Sequence, residues 1–201
     1  MLIGVLAMQG AFREHEQALA GCGAQTVQIR RPEQLAGIDA LVIPGGESTT
    51  IAKMMKESGL FEQVREMGEE GLPVFGTCAG MILLAREIEG SEQPRVGLMN
   101  IKVKRNAYGR QVDSFEEDLE IPVLGEKKFR AVFIRAPQIL EAKSGVDVLA
   151  RQDGKIVLAR EKNFLAAAFH PELTDDLRLH KYFLEMVKKK SCVEKNFVVY
   201  M

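Results

Sequence analysis

The chain has 201 residues, of which 46% are hydrophobic and 27% charged, and its 27 basic and 28 acidic residues leave a net charge of −1. This length and composition are typical of one globular domain with a single core, and they exclude a disordered chain. A broad nucleic-acid surface is also excluded, because phosphate binding needs concentrated positive charge.

The first ninety residues alternate short apolar runs with helical patterns. Strands are predicted over residues 2–8, 26–29, 40–43 and 73–75, and helices over residues 12–22, 50–67 and 79–87. Strands that alternate with helices in this way are typical of βαβ units. This half of the chain therefore predicts a parallel sheet that is covered by helices on both faces.

The second half of the chain adds strands of another kind. Strand patterns cover residues 97–105, 129–134, 146–151, 155–158 and 164–169. Asp153-Gly154 predicts a two-residue hairpin, and a closing helix is predicted over residues 174–190, which Thr174 could cap. The expected fold class is α/β, with a mainly parallel central sheet and added antiparallel strands. Residues 1–190 form one domain in this interpretation, and residues 191–201 form a tail of uncertain order.

The segment Gly76-Thr-Cys-Ala-Gly80 has the G-x-C-x-G pattern of a nucleophile elbow and lies between a buried strand and a helix. Its glycines suit a tight turn in which a Cβ would clash, and this turn aims the cysteine out of the sheet into a cleft. A helix N-terminus also favours the thiolate form. Cys78 is therefore the predicted nucleophile.

His170-Pro-Glu172 follows the last predicted strand, so both side chains can reach the sheet edge that carries Cys78. A nucleophilic thiol needs a base, and the base needs a carboxylate that orients it. We predict that His170 is this base and that Glu172 orients it. The other two histidines, His15 and His180, fall on predicted helices and are interpreted as structural or surface residues.

The segment Pro44-Gly-Gly-Glu-Ser-Thr-Thr50 also joins a strand end to a helix start. Its glycines let the backbone turn N–H groups toward a ligand, as in an oxyanion hole or an anion nest. Ser48 or Thr49 can cap the next helix, and Glu47 could also cap a helix or meet a substrate ammonium.

The backbone N–H groups expected to meet an oxyanion formed at Cys78 belong to Gly46 or its neighbour Gly45 and to Ala79. Because glycines change conformation cheaply, a flip of the Gly45–Gly46 peptide is the hypothesis for how a partner could switch the site on.

The cysteines and histidines are too sparse for a disulfide framework or a zinc site. Cys22, Cys78 and Cys192 are odd in number, which favours a reducing compartment such as the cytoplasm over disulfide bonding. The apolar segment 2–8 is short and no basic residue precedes it, so it is a poor signal peptide, and no run is long enough for a membrane span. Without a CxxC or HExxH spacing, no metal is expected.

Together these motifs resemble those of class I, triad-type glutamine amidotransferases, and more narrowly those of the glutaminase subunits of pyridoxal 5'-phosphate synthases. The resemblance covers residues 1–189. The elbow and the His-Pro-Glu segment are shared by the whole superfamily. The narrower match depends on Gly4-Val-Leu-Ala-Met-Gln-Gly-Ala-Phe-Arg-Glu-His15, Pro44-Gly-Gly-Glu-Ser-Thr-Thr50, Gly76-Thr-Cys-Ala-Gly80, Arg105-Asn-Ala-Tyr-Gly-Arg-Gln-Val-Asp-Ser-Phe115, Phe133-Ile-Arg-Ala-Pro137 and Phe169-His-Pro-Glu-Leu-Thr174.

The resemblance implies a flavodoxin-like fold of three α/β/α layers and a cofactor-free hydrolysis of L-glutamine to L-glutamate and ammonia through a γ-glutamyl thioester. It implies that the ammonia passes to a synthase subunit that makes pyridoxal 5'-phosphate, the active form of vitamin B6. It also implies a hetero-oligomeric ring of synthase subunits that carries glutaminase subunits, in which docking switches on a weak glutaminase.

The resemblance also implies roles for individual positions. The implied catalytic residues are Cys78, His170 and Glu172. The implied glutamine-binding residues are Gly46, Glu47, Ser48, Arg105, Ile134 and Arg135. Gln9 matches a position near the oxyanion site and the partner interface, and the tail beyond about residue 189 departs from the family pattern.

Three alternatives stay open at this point. A glutaminase of another synthase, such as imidazole glycerol phosphate synthase, would use the same triad, although the segment 105–115 argues against it. A cysteine hydrolase of the same shape that needs no partner would be strongly active alone. A non-catalytic regulatory or scaffolding subunit is disfavoured by the intact Cys78, His170 and Glu172, and it predicts that Cys78→Ala changes nothing measurable.

Overall fold

The structure, a computed structural model, describes residues 1–107 and 114–198, so residues 108–113 of the motif 105–115 and residues 199–201 of the tail lie outside it. The strands are β1 (Leu2–Leu6), β2 (Gln25–Ile29), β3 (Ala40–Ile43), β4 (Val74–Thr77), β5 (Ala85–Ile88), β6 (Met99–Lys104), β7 (Ser114–Leu119), β8 (Phe129–Ile134), β9 (Gln138–Ala142), β10 (Asp147–Gln152), β11 (Lys155–Glu161) and β12 (Phe164–Ala167). The α-helices are α1 (Phe12–Gly21), α2 (Ser48–Glu57), α3 (Leu60–Glu69), α4 (Ala79–Leu84) and α5 (Arg178–Val198).

The large sheet is parallel in one half and mostly antiparallel in the other. Strands β2, β1, β3, β4 and β12 lie side by side in parallel, with Leu41 of β3 opposite Val74 of β4. Beyond β12 the order continues through β11, β9, β6 and β5, and β11 runs antiparallel to β12, β9 and β10. Strands β7 and β8 form a two-stranded antiparallel ribbon. The predicted α/β fold with antiparallel additions is confirmed.

Helices cover both faces of the parallel half. From β1 the chain crosses through α1 to β2 on one side, and from β3 it crosses through α2 and α3 to β4 on the other side. Such crossovers are right-handed. Because these two crossovers run in opposite directions across the sheet, α1 and the α2–α3 pair lie on opposite faces. Helix α5 packs against α1, and α4 packs against α2. The three-layer arrangement that the resemblance implied is confirmed.

The difference between the two halves explains their sequence patterns. The last four residues of β1 and every residue of β3, β4 and β12 are buried, since helices cover both faces of these strands. They therefore read as continuous apolar runs. Strands β6 and β8 alternate between buried and more exposed positions, which is the pattern of a sheet with one covered face.

Two predicted helices differ from those in the structure. The single helix predicted over residues 50–67 is two helices, because Gly59 adopts a φ of +79° between α2 and α3. The helix predicted over residues 79–87 ends at Leu84, and Ala85–Ile88 pairs instead with β6 as strand β5. Sequence patterning alone favoured one long helix in each place.

The closing helix begins later and continues further than predicted. The Asp176 carboxylate accepts a hydrogen bond from the Arg178 N–H at 3.1 Å, so the helix begins at Arg178 and Thr174 is not its cap. Helix α5 then runs to Val198, into the segment assigned to the tail. No helix in residues 1–107 and 114–198 combines the length and the apolar character that a bilayer span requires.

The hairpin prediction is confirmed, whereas strands β7 and β9 were not predicted. Asp153 and Gly154 join β10 to β11, and both have positive φ, at +47° and +79°. These values are typical of a type I′ turn. Strand β7 carries acidic residues without apolar alternation, and it pairs with β8, whose Arg130 Nε lies 2.9 Å from the Asp118 carboxylate. Only this pairing reveals it as a strand.

Candidate active site

Four adjacent parallel strands, β1, β3, β4 and β12, end at one edge of the large sheet, and a predicted motif follows each of them. The strand order reverses between β1 and β3, and open α/β sheets form clefts at such reversals. The cleft here has a volume of about 490 Å³. It is lined by eleven of the predicted site residues: Gln9, Gly45, Gly46, Glu47, Ser48, Cys78, Ala79, Arg105, Ile134, Arg135 and His170.

Cys78 stands at the turn between β4 and α4, with a φ of +49° and a ψ of −103°. This backbone conformation is strained for a residue with a side chain, and such strain clusters at active sites. The flanking glycines allow it. A Cβ on Gly76 would lie 2.5 Å from the Gly80 backbone, and a Cβ on Gly80 would lie 1.9 Å from the Ile43 carbonyl oxygen.

His170 lies beside Cys78 and is oriented by Glu172 from the short turn that follows β12. Its Nδ1 is 2.7 Å from Glu172 Oε1, and it is the donor because a carboxylate only accepts. Burial alone would lower the pKa of His170, but hydrogen bonds and charge interactions with Cys78 and Glu172 raise it to about 10. The imidazolium form is therefore favoured beside the thiol at neutral pH.

Glu172 does not line the cleft, because it is buried behind His170. Burial would raise its pKa, but the neighbouring His15 and the hydrogen bond from His170 outweigh this, so the pKa lies below the ordinary value. The second carboxylate oxygen, Oε2, lies 3.2 Å from His15 Nε2. Cys78, His170 and Glu172 thus form a continuous line from the cleft into the core.

His15 and His180, which were interpreted as structural or surface residues, are both wholly buried behind the triad. The surface interpretation is therefore wrong. His15 Nε2 is 3.1 Å from Thr77 Oγ1, and His15 Nδ1 is 3.0 Å from His180 Nε2. Both rings pack against Phe75, at centroid distances of 6.1 and 6.0 Å. The sequence carried a weak signal for His15, which shares a helical stripe with buried Leu19.

The opposite wall of the cleft is built around Glu47 and Arg105. Glu47 caps α2 by accepting the Thr50 N–H at 2.8 Å, which confirms one of the two interpretations of Glu47, and Ser48 and Thr49 do not cap this helix. Burial would raise the pKa of Glu47, but hydrogen bonds from Thr49 and Thr50 hold it below its ordinary value. The other carboxylate oxygen of Glu47 lies 2.8 Å from the Arg105 guanidinium.

Sequence analysis missed Gln93, which ties this wall together from a buried position. Its Oε1 accepts a hydrogen bond from Arg105 at 2.7 Å, and its Nε2 donates to Ser48 Oγ at 3.0 Å. No motif marked it, because Gln93 lies in a loop between β5 and β6 that reaches the wall only in the folded chain. Asn106, with a φ of +48°, also lines the cleft beside Arg105.

The glycine loop after β3 packs closely on the loop after β1. Gln9 Oε1 accepts the Glu47 N–H at 2.9 Å, and a Cβ on Gly10 would lie 1.7 Å from the Gly45 carbonyl oxygen. Gly45 also has no room for a side chain, since a Cβ there would lie 2.4 Å from His170 Cε1. Gly46 has a φ of +146°, which L residues rarely adopt. Glycine is therefore required at three positions here.

The last side of the cleft comes from the end of β8. The His170 N–H donates to the Val132 carbonyl at 2.8 Å, which fixes this strand beside the proposed base. The Ile134 carbonyl lies 3.8 Å from Cys78 Sγ, and Arg135 follows with a φ of +43°. The structure thus brings together an elbow thiol, a histidine–carboxylate pair and two arginines, a set suited to nucleophilic attack on a carboxylate-bearing amide.

The chain is similar to one protein family over most of its length. The SNO glutamine amidotransferase family matches residues 5–189. A protein of Pelotomaculum thermopropionicum named pyridoxal 5'-phosphate synthase subunit PdxT is 70% identical over 185 residues, which are 92% of this chain and 94% of that protein. A protein of the same name from Thermotoga maritima is 55% identical over 188 residues, which are 94% of this chain and 100% of that protein.

Solved structures share the same fold. A crystal structure of a glutamine amidotransferase is 54% identical, with a TM-score of 0.88, and the match covers 92% of this chain and 98% of that chain. The structure of PurLQS from Thermotoga maritima has a TM-score of 0.70 over 92% of this chain and 97% of that chain. At 15% identity, this second likeness concerns the fold alone.

Proposed function

Because the chain belongs to the SNO glutamine amidotransferase family, we propose that it is the glutaminase subunit of a pyridoxal 5'-phosphate synthase, with Cys78, His170 and Glu172 as its triad. The observation that carries the triad is the 2.7 Å hydrogen bond between His170 and Glu172 beside the strained Cys78 elbow. Hydrolysis of L-glutamine to L-glutamate and ammonia is the reaction, and the ammonia is delivered to the synthase subunit.

In the first step, the Cys78 thiolate attacks the side-chain carbonyl carbon of glutamine, and the carbonyl π electrons move to the oxygen. The His170 imidazolium then protonates the amide nitrogen, the C–N bond breaks, and ammonia leaves a γ-glutamyl thioester on sulfur. Neutral His170 takes a proton from water as the water oxygen attacks the thioester. The C–S bond breaks, glutamate leaves, and the thiolate–imidazolium pair is restored.

Glu172 orients His170 and stabilises its positive charge throughout this cycle. The oxyanion is assigned to the Ala79 N–H at the start of α4 and to an N–H of the glycine loop, Gly45 or Gly46. The conformation of Gly46, with a φ of +146°, supports a loop that only glycine can form, and that can change its peptide orientation.

The α-amino and α-carboxylate groups of glutamine are assigned to the wall formed by Gly46, Glu47, Ser48, Arg105, Ile134 and Arg135. A guanidinium matches a carboxylate in shape and charge, and Glu47 supplies the anion that an ammonium requires. The ion pair between Glu47 and Arg105 at 2.8 Å supports this assignment, because it holds both groups at the cleft.

The partner in this proposal is the synthase subunit, in a hetero-oligomeric ring, and docking acts on Gln9 and the glycine loop. The hydrogen bond from Glu47 to Gln9 supports this route, since it joins the loop after β1 to the loop after β3. The cytoplasm is the proposed compartment. Cys22 and Cys78 are not in disulfide bonds, as that compartment requires.

Release of glutamate from L-glutamine by the purified chain, with and without a pyridoxal 5'-phosphate synthase subunit, tests the proposal. We expect strong stimulation by the synthase subunit and no activity in Cys78→Ala. Stimulation only by a different synthase would show that the chain is the glutaminase subunit of that synthase instead. Strong activity of the chain alone would refute the docking switch, and activity that survives in Cys78→Ala would refute the triad.

A further inference from the structure

The polar side chains behind the proposed triad form an unusual buried chain whose central member is His15. His15 lies on α1, and its ring contacts Glu172 at 3.2 Å, Thr77 at 3.1 Å and His180 at 3.0 Å. These partners come from the turn after β12, the end of β4 and helix α5. Buried polar groups destabilise a core unless each is paired, so the location of every proton matters here.

The geometry places the proton of His15 on Nε2. Glu172 Oε1 already accepts from His170. The buried Oε2 accepts no hydrogen bond within the described residues and lies 3.2 Å from His15 Nε2, whose hydrogen bond is with Thr77 Oγ1. If Nε2 were bare, its lone pair would face the lone pairs of Oε2 at 3.2 Å, which is repulsive. With the proton on Nε2, Nδ1 is an acceptor and His180 Nε2 donates to it.

Both buried histidines are neutral in this arrangement. Burial lowers the pKa of His15, and burial together with the neighbouring His15 lowers that of His180 to about 3. The titratable groups that face His15 are Glu172, His170, Glu14 and His180, with Cys78 beyond His170. Glu172 therefore accepts one N–H, from the charged His170, and its second oxygen lies against the Nε2–H edge of the neutral His15.

We propose that His15 is a positioning residue for the glutaminase reaction, whose Nε2–H edge lies 3.2 Å from Glu172 Oε2 and stabilises that oxygen electrostatically so that Oε1 stays on His170. The proposal rests on the proposed triad and extends it by one residue. A neutral donor suits this role. It presents a polar edge to the second oxygen of a buried carboxylate, yet it adds no second positive charge that would compete with the His170 imidazolium for the carboxylate.

The test is the pH dependence of kcat for glutamine hydrolysis, measured in the complex with the synthase subunit. In His15→Leu the carboxylate loses its polar neighbour at 3.2 Å, so the pKa of Glu172 rises and that of His170 falls. We expect the acid limb of the profile to move up and the alkaline limb to move down, each by about one pH unit, with kcat at neutral pH reduced about tenfold.

Matched variants separate positioning from packing. In His15→Gln the amide keeps a neutral N–H near Oε2, so we expect the limbs of the pH profile to lie close to those of the wild type. Thr77→Val removes the other polar neighbour of His15 Nε2 at nearly constant volume, and both limbs should stay in place. If His15→Leu does not fold, His15→Asn replaces it in the test. The amide of this variant is polar but too short to reach Oε2, so the pH profile should narrow.

A lowered but unshifted profile in His15→Leu, or in His15→Asn where that variant replaces it, would overturn the positioning role. An equal narrowing in Thr77→Val would do the same, because it would point to packing alone. Cys78→Ala is the reference for the triad itself. If the wild-type complex releases no glutamate above Cys78→Ala, the proposed function fails, whereas an active wild type with unshifted variants refutes only the role of His15.

Discussion

The two sides of the cleft are held in different ways. On one side, His15, Glu172, His170 and His180 are almost fully buried and connected by contacts of 2.7–3.2 Å. On the other side, Glu47 and Arg105 keep 42% and 32% of their side chains exposed, and the glycine loop is held by Gln9 and Gly10.

This difference separates proton handling from substrate recognition. The buried side is fully assembled within the chain, because packing on Phe75 and the histidine contacts fix each ring. The exposed side depends on glycine backbone and solvent-screened groups, which respond to what binds there. A partner that docks at the cleft is therefore expected to act on the loop side and to leave the triad side unchanged.

The largest expected effect comes from crowding the loop side. In Gly10→Ala the new methyl group would lie 1.7 Å from the Gly45 carbonyl oxygen, so the glycine loop must shift. We expect glutaminase activity of the complex to fall about 100-fold, because small displacements of reacting groups are costly. The limbs of the pH profile should stay in place, because the hydrogen bond between His170 and Glu172 is made outside the glycine loop.

Gly23→Ala is the matched control for this substitution. Gly23 has a φ of +81°, close to the +86° of Gly10, but a Cβ there meets nothing within 4 Å. Gly23→Ala should lose only about 1–2 kcal/mol of unfolding free energy, which is the cost of its positive φ, whereas Gly10→Ala should lose more because its methyl group also displaces Gly45. Equal losses of activity in the two variants would contradict a specific role for the contact between Gly10 and Gly45.

A smaller effect is expected at the exposed wall. Arg105→Gln removes the charge that pairs with Glu47 and the donor to Gln93, so substrate binding should weaken. We expect KM for glutamine to rise about tenfold with kcat little changed, since this contact is made equally in the ground and transition states.

Steady-state kinetics of the complex would test this, with Arg130→Gln as a control. Arg130 forms an ion pair with Asp118 on the β7–β8 ribbon, and it does not line the cleft. We expect its KM to match that of the wild type. A fall in kcat without a change in KM in Arg105→Gln would place Arg105 with the catalytic groups instead.

The smallest effect on activity, and a distinct one on stability, is expected at His180. Its pKa is about 3 in the folded chain against 6.5 for an ordinary histidine. Between these two pH values the unfolded state binds the proton and the folded state does not. The unfolding free energy should therefore fall as the pH drops from 6.5 toward 3. The slope is at most about 1.4 kcal/mol per pH unit for this one group.

His180→Gln should remove this contribution and leave a shallower dependence on pH, although its stability at pH 7 is lower. Denaturant unfolding between pH 7 and pH 5 would measure both slopes. Equal slopes in the two proteins would show that His180 is protonated in the folded state. The assignment of neutral histidines behind the triad would then be wrong.

Local sequence signals determined the parts of this protein that depend on neighbours in the chain. The elbow at Cys78 was predictable because the turn needs glycine on both sides within five residues. The hairpin at Asp153-Gly154 was predictable for a similar reason, because its two positive φ values suit these residue types. The buried parallel strands were predictable as apolar runs, since both of their faces are covered.

Only the tertiary structure decided which residues meet across the chain. His15 and Glu172 are far apart in sequence, and no periodicity indicates that a helical histidine reaches a carboxylate beyond the last strand of the sheet. Gln93 likewise reaches Arg105 and Ser48 from an irregular loop. Such contacts depend on the packing of whole elements, and packing is a property of the folded chain rather than of any short segment.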